Sequence, residues 1–358
     1  MKVKLGELTK IRTGKLDANA SSEDGQYPFF TCSKEPLRIS SYSYDCECVL
    51  VAGNGDLNVK YYSGKFDAYQ RTYIIESNGD GRLYIPYLYY FMDGYVSELR
   101  KQSIGGVIKY IKLGNLTDAL IELPSIEEQK SIVDILEKNK SVLTMRQKEL
   151  SSLDELIKAR FVEMFENNEY RVEKLGAVCK KITDGTHKTP TYLDEGITFI
   201  SAKNIVNGEL DFADIKHISE EEYQEIQKRC QTAIGDILLS KSGSLGSPAI
   251  VKTEEKLGLF ESLAVLKYDR EKSLPEFLCE QLKTDRIQRQ FTTGTKGVAI
   301  KHLHLGVIAD TDVIVPPLNE QKAFADFVRQ VDKSKVVVQK ALDETQLLFD
   351  SLMHIYFG

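Results

Sequence analysis

The sequence predicts an α+β protein: two pseudo-repeated α+β domains separated by two long antiparallel coiled-coil helices. Three observations carry this. A stretch free of Gly and Pro runs from Ser125 to about Phe165, with Leu136, Leu143, Leu150, Ile157 and Met164 recurring every seven residues. That is the period of a coiled coil, and about 40 residues at 1.5 Å each make a helix of roughly 60 Å. The opening of this stretch then recurs. Leu123-Pro124 and Glu128-Gln129-Lys130 return as Val315-Pro316 and Glu320-Gln321-Lys322, a shift of 192 positions. Finally, each helix is preceded by short β-rich runs and helices in no regular alternation, which points to α+β rather than a doubly wound sheet.

The elements follow in order. Residues 1–124 form the first domain. Tyr27-Pro28-Phe29-Phe30, Cys48 to Ala52, Tyr61-Tyr62 and Thr72 to Ile75 read as strands, punctuated by Gly53-Asn54-Gly55-Asp56 and Ser77-Asn78-Gly79-Asp80-Gly81. Pro86 to Arg100 reads as a helix with proline in its first turn. A polar, Gly-rich loop follows, Lys101-Gln102-Ser103-Ile104-Gly105-Gly106, and then the run Val107 to Leu113. Residues 125–168 are the first long helix. Ser125 is its N-cap, and Glu128 stands at the capping-box spacing. Asn167-Asn168 marks its exit.

Residues 169–316 repeat the plan. Lys174-Leu175-Gly176 echoes Lys4-Leu5-Gly6, Ile237 to Gly243 occupies the place of Val49 to Gly55, and Leu274-Pro275 opens a helix to about Gln290. Thr293-Gly294-Thr295-Lys296-Gly297 is the counterpart polar loop. Lys301, Leu305 and Gly306 match Lys109, Leu113 and Gly114 at the same shift of 192. From the lysine of Lys-Leu-Gly to the helix-opening Pro is 120 positions in the first domain and 142 in the second, so the second carries about 22 extra. Residues 317–358 are the second long helix, with Phe324, Phe327, Val331, Ser334, Val338, Ala341, Thr345, Leu348, Leu352 and Ile355 at spacings of three and four. Neither helix can leave its apolar stripe in water, and each is the other's obvious partner.

Composition narrows the function. The chain has 358 residues, 47 basic and 53 acidic, for a net charge of −6. A nucleic-acid binder usually carries a basic surplus, so a DNA-binding face would have to be a local patch. Met1-Lys2-Val3-Lys4 leads into no apolar run, so no signal peptide is expected, and no stretch reaches membrane-span length. Six cysteines without C-x-x-C or zinc spacing read as reduced thiols of a cytoplasmic protein. No phosphate loop of the G-x-x-x-x-G-K-[ST] kind is present, no H-E-x-x-H, and no N-P-P-Y or D-P-P-Y; Gly14-Lys15 and Gly64-Lys65 lack the rest of a phosphate loop. Five histidines are not clustered as metal ligands, and His302 and His304 read as one face of a strand. We see no catalytic constellation.

Several groups could meet a ligand. Asp184-Gly185-Thr186-His187-Lys188-Thr189-Pro190 makes a tight loop with donors suited to phosphate or base edges; the plainer reading is a structural turn whose hydroxyls serve the local backbone. Lys241, Ser242 and Ser244 lie in a similar donor-rich stretch, which could be only a connection between strands. Lys109 and Lys301, each after a Gly-rich polar loop, are suited to phosphates or are simply solvated charges. Lys101, Gln102 and Lys296 complete the candidate DNA-binding set. Tyr42 to Tyr44, Tyr61-Tyr62 and Tyr87 to Phe91 are either core or stacking platforms.

Together, the two Pro-x-x-x-Glu-Gln helix openings, the paired dissimilar domains and Asp184 to Pro190 resemble the specificity subunit of a type I restriction–modification system. The resemblance covers the whole chain. Ile11-Arg12-Thr13-Gly14-Lys15 of the first domain is shorter than Asp184 to Pro190 and lacks the His and Pro. The resemblance implies that each domain is a target-recognition domain reading one half of a split sequence in double-stranded DNA, with helix length setting the unread spacer. It implies two modification (methyltransferase) subunits and restriction (translocase/nuclease) subunits as partners. S-adenosylmethionine, ATP and Mg would be held by those subunits alone, and the chain itself would catalyse nothing. Glu128, Gln129, Leu136, Leu143, Leu150, Ile157, Glu320, Gln321, Phe327, Val331, Val338 and Leu348 would make the helix and partner contacts. A non-catalytic coiled-coil scaffold with two protein-binding heads is the rival reading, favoured by the acidic balance. A nuclease or methyltransferase is the weakest.

Overall fold

A computed structural model of the chain describes residues 1–293 and 302–358. Lys296 and Lys301 lie outside the described residues. The chain divides into two compact units, Met1–Lys148 with Gln339–Gly358, and Glu149–Val338. Each unit thus takes part of both long helices, Ile126–Phe161 and Leu318–Phe357.

In the first unit, six strands form one sheet in the order Thr9–Thr13, Thr72–Ser77, Tyr44–Ala52, Val59–Ala68, Tyr27–Phe30, Leu37–Ile39. All neighbours are antiparallel except Tyr27–Phe30 with Val59–Ala68. Val49, Val51 and Ile75 on one face join Leu88, Met92 and Leu99 of the helix Ile85–Gln102 in the core. A separate two-stranded ribbon, Lys2–Lys4 with Leu120–Glu122, ties the start of the unit to the residues before the first long helix. Val133 and Leu136 of that helix are buried in the same core, and Phe349, Leu352, Met353 and Phe357 of the second long helix pack on it.

The second unit repeats this strand order with one break. Cys179–Asp184, Leu263–Tyr268, Ile237–Ser240 and Pro248–Ile250 form a four-stranded sheet, and Leu257–Leu259, Ile197–Ile200 and Lys216–Ile218 a three-stranded one. Pro248–Ile250 and Leu257–Leu259 occupy the two ends of what is one ten-residue strand, Val59–Ala68, in the first unit. The extra residues lie between Ile200 and Ile237, as a small hairpin, Ile205–Val206 with Glu209–Leu210, and the helix Glu220–Arg229. The closing ribbon recurs as Val172–Lys174 with Asp312–Ile314. Here Ile157, Phe161 and Phe165 share a core with Phe324, Val328 and Val331. In each unit the early turns of one long helix meet the late turns of the other, so the pairing is antiparallel.

The capping box forms as expected: the Ser125 N–H donates to a Glu128 carboxylate oxygen at 2.9 Å, and the Glu128 N–H to Ser125 Oγ at 3.3 Å. The Ser125 N–H and the Ser125 hydroxyl, both donating to Glu128 Oε2 at 2.9 Å, hold the Glu128 carboxyl below its usual range. The first long helix is regular to Phe161, and one wider turn, Val162–Glu166, brings it to the expected exit at Asn167-Asn168. Three expectations are corrected. The helix from Pro275 breaks at Thr284, whose extended backbone separates Pro275–Lys283 from Asp285–Thr293 and whose hydroxyl donates to the Gln281 carbonyl at 2.7 Å. Leu348 is 51% exposed; Phe349 is the residue that turns inward, because an α-helix drifts against a strict seven-residue count. His302 and His304 are not on a strand but lead into the short helix Leu305–Ala309. The six cysteines form no disulfide.

Candidate nucleic-acid interface

One close approach organises the same corner of each unit. The first strand ends at Gly14 in the first unit and at Gly185 in the second. A Cβ on Gly14 would collide with the carbonyl oxygens of Ala68 and Tyr69; one on Gly185 would collide with those of Leu259 and Phe260. Only glycine lets the chain cross there. The residues around the crossing correspond one by one. The Gly53 N–H donates to the Arg71 carbonyl at 2.8 Å, and the Ile111 N–H to the Gly53 carbonyl at 2.9 Å. In the second unit the Lys241 N–H donates to Ser262 and the Leu303 N–H to Lys241, both at 2.8 Å.

These backbone bonds frame a cleft in each unit. In the first it has about 270 Å³ and is lined by Thr13, Gly53, Gln70, Arg71, Tyr73 and Ile111. In the second it has about 530 Å³, with Asp184, Lys241, Glu261 and His302 in its wall. The scaffold is shared and the chemistry differs: where the first unit has Thr13 and Gly53, the second has the ion pair Asp184–Lys241.

That pair corrects one candidate. Lys241 is 3% exposed; its Nζ donates to Asp184 Oδ2 at 2.5 Å and to the Glu261 carbonyl at 3.0 Å. It is buried support for the loop and cannot reach a phosphate. Arg229 bonds the other Asp184 oxygen, and His187 Nε2 stands 3.4 Å from Oδ2. Burial alone would push the Asp184 carboxyl up; the Lys241 ammonium and Arg229 guanidinium outweigh it and hold the carboxyl below its usual range.

The loop 184–190 has a buried base and an exposed tip. Asp184, Gly185 and Pro190 are buried, and Thr186 Oγ1 accepts from the Lys188 N–H at 3.1 Å. His187, Lys188 and Thr189 form an exposed tip. His302 Nε2 lies 3.5 Å from a Glu261 carboxylate oxygen in the same cleft. Ser242 and Ser244 sit in a tight turn in which the Ser242 carbonyl accepts from Ser240 Oγ at 2.7 Å; Ser244 is exposed.

In the first unit Lys109 and Lys101 are exposed, the latter 3.2 Å from Glu98. Gln102 is not a free donor: its amide nitrogen donates to Glu98 at 3.1 Å and its oxygen accepts from Asn115 at 3.1 Å. Of the aromatic runs, Tyr87, Tyr90 and Phe91 are core, whereas Tyr42 and Tyr61 are exposed.

The helix candidates divide as well. Leu136, Leu143, Ile157, Val331 and Val338 are buried, and Leu150 and Phe327 half-buried. Gln129 and Gln321 are wholly buried, so they serve no partner. The Gln129 amide oxygen accepts from the Tyr84 N–H at 2.9 Å, and its nitrogen donates to the Arg82 and Pro124 carbonyls at 2.8 and 3.0 Å. Gln321 accepts from the Leu274 N–H at 3.0 Å and donates to Lys272 and Pro316 at 2.9 and 2.8 Å. The repeated Glu-Gln is thus a latch between each long helix and the segment that opens the helix on its own sheet. Glu320 is held differently from Glu128, accepting from Tyr170 Oη at 2.6 Å.

Two copies of one α+β scaffold, each latched to a long helix and each presenting its own loops beside an equivalent cleft, define a two-headed recognition protein. The family of the type I restriction modification DNA specificity domain matches residues 1–154 and again 167–345, and the chain belongs to that family. It is 46% identical over 135 residues to the EcoDI type I restriction enzyme specificity subunit of Escherichia coli, a match covering 38% of this chain and 30% of that one. It is 23% identical to the EcoBI specificity subunit of Escherichia coli, covering 86% of this chain and 72% of that one, and 20% identical to the MjaVIII specificity subunit of Methanocaldococcus jannaschii, covering 99% and 91%. In fold it is similar to the S subunit of a type I restriction–modification system from M. genitalium, with a TM-score of 0.63 at 16% identity over 100% of this chain and 96% of that one. A solved chain of another type I R-M system gives 0.60 at 17% identity, over 100% and 97%.

Proposed function

We propose that this chain is the DNA-reading specificity subunit of a type I restriction–modification complex. Each α+β unit reads one half of a bipartite target in double-stranded DNA, and the chain directs methyltransferase and restriction subunits to it. The carrying observation is the doubled match of the specificity-domain family to the two halves of the chain. The shared scaffold with different loops supports it: identical heads would read a symmetric site, whereas these would read two unlike half-sites. S-adenosylmethionine, ATP and Mg belong to the partner subunits in this reading, and the chain contributes recognition without catalysis. Among the described residues no cluster suited to a metal ion occurs, and no helix is long and apolar enough to cross a membrane.

The test is sequencing of methylated sites in a host carrying the chain with its modification partner. The expected result is two unlike half-sites at a fixed gap. A gel shift with the modification subunit, repeated across salt concentrations, separates this reading from a protein-binding scaffold: affinity should fall linearly in log salt. Salt-independent binding, or methylation with no bipartite motif, would reject the reading.

A further inference from the structure

We infer that the closed loop Gly105–Lys109 of the first unit is a specificity-determining element, setting Val107 and Ile108 against base edges in a DNA groove while neighbouring lysines meet phosphates. This rests on the DNA-reading function proposed above. Val107 is fully exposed and Ile108 is 63% exposed. Isolated surface hydrophobics are ordinary, so exposure alone decides nothing. What sets this pair apart is the frame that holds it out. Ile104 and Tyr110 exchange both backbone hydrogen bonds, at 3.0 and 2.8 Å, and close the loop between them. The Lys109 carbonyl accepts from the Gly55 N–H at 2.9 Å, and Ile111 is bonded to Gly53 at the rim of the cleft. Gly105 has φ +119°, and a Cβ there would lie 2.6 Å from the Ile108 carbonyl oxygen. The loop is thus folded against its own unit, with its two β-branched side chains aimed away from every core. Stiff χ1 angles mean that little rotamer freedom is lost on contact.

Charge names the occupant. From Leu99 to Thr117 there are four basic residues, Arg100, Lys101, Lys109 and Lys112, and no acidic one, in a chain of net charge −6. The carboxylates beside this stretch are each paired: Asp56 with Arg100 at 3.0 Å, Glu98 with Lys101 at 3.2 Å, and Asp118, next to Gly114, with Lys4 at 2.8 Å. Lys109 and Lys112 are exposed. An apolar tip bracketed by lysines fits a polyanion with apolar groups inside a groove, such as the thymine methyls of duplex DNA.

The experiment uses the full chain with its modification partner and reads methylated sites in host genomic DNA. Val107→Ala with Ile108→Ala should relax one or two base positions in one half-site, lowering discrimination there about tenfold, and leave the other half-site and the gap unchanged. Lys109→Ala should keep the motif and reduce the slope of log affinity against log salt by about 0.9. Both side chains are exposed, so the melting temperature should not move. A double variant with an unchanged motif overturns the inference. So does loss of all methylation with an unchanged melting temperature, and loss of co-purification with the modification subunit would make the tip a protein contact instead. If the unmodified chain gives no bipartite motif, the proposed function fails, and the inference with it.

Discussion

Asp184 and Lys241 show how a residue that looks available in sequence is consumed in three dimensions. Lys241 stands in a stretch rich in serine and glycine, yet its neighbours in space come from positions 57 and 20 residues away. No local pattern could announce that. Asp184→Asn would leave the Lys241 ammonium buried without its counter-ion and should destabilise the second unit by about 3–5 kcal/mol, with Lys241→Met restoring part of the loss. The pH dependence has a definite sign. The folded carboxyl sits below its unfolded value of about 3.9, so its contribution is complete above that pH and is lost as pH falls through the folded value. Chemical denaturation of wild type and Asp184→Asn should give a difference that narrows as pH falls below about 4; a difference that widens in that acid range would contradict the assignment. The glutamine latches make a second case. Gln129→Ala strips partners from the Tyr84 N–H and the Arg82 and Pro124 carbonyls, and should cost about 3 kcal/mol in denaturant unfolding, as should Gln321→Ala. Glu-Gln was legible as a repeated signature, but its burial was not, since a polar residue three positions inside a helix N-terminus ordinarily faces water.

At the scale of elements, the long helices, the helix opening at Ile85-Pro86 and the β-rich runs were legible because each has a strong period, a proline marker or Gly-rich turns beside it. The turning inward of Phe349 instead of Leu348, and the break at Thr284, were not, because both depend on what the neighbouring layer offers. One set of contacts recurs across the repeat with a prediction attached. In the first unit the Phe357 ring lies 5.1 Å from Tyr87, and in the second Phe165 lies 4.9 Å from Phe277. Phe161 and Phe165 stand 192 positions before Met353 and Phe357. A fragment of residues 1–168 lacks the Phe349–Phe357 segment that covers its core, but a second copy carries a near-equivalent in Ile157, Phe161 and Phe165. The fragment should therefore form a dimer in sedimentation equilibrium, and Phe161→Asp should return it to a monomer or unfold it. A well-folded monomer at high concentration would sink the idea. With the modification subunit, the dimer should methylate a symmetric sequence built from one half-site.

For the whole molecule, both long helices run from one compact unit into the other, across Lys148–Glu149 and Val338–Gln339. If their length is the ruler for the unread gap, four residues inserted at each crossing add about one turn, roughly 6 Å. They rotate the flanking faces little. Both half-sites should persist while the gap lengthens by one to two base pairs, at about 3.4 Å per pair; methylation-site sequencing reads both, and an unchanged gap would remove the helices from that role. The closing ribbons carry a consequence for inheritance. Each recognition unit is entered and left through one ribbon, Lys2–Lys4 with Leu120–Glu122 or Val172–Lys174 with Asp312–Ile314. The segments that border it are where the two halves agree: Lys4-Leu5-Gly6 with Lys174-Leu175-Gly176, and Pro124 and Glu128-Gln129-Lys130 with Pro316 and Glu320-Gln321-Lys322. A crossover between genes within those shared segments would deliver a foreign head already fitted to its seat. Such a lineage can change the sequence it reads in a single exchange, with no compensating mutation in the helices.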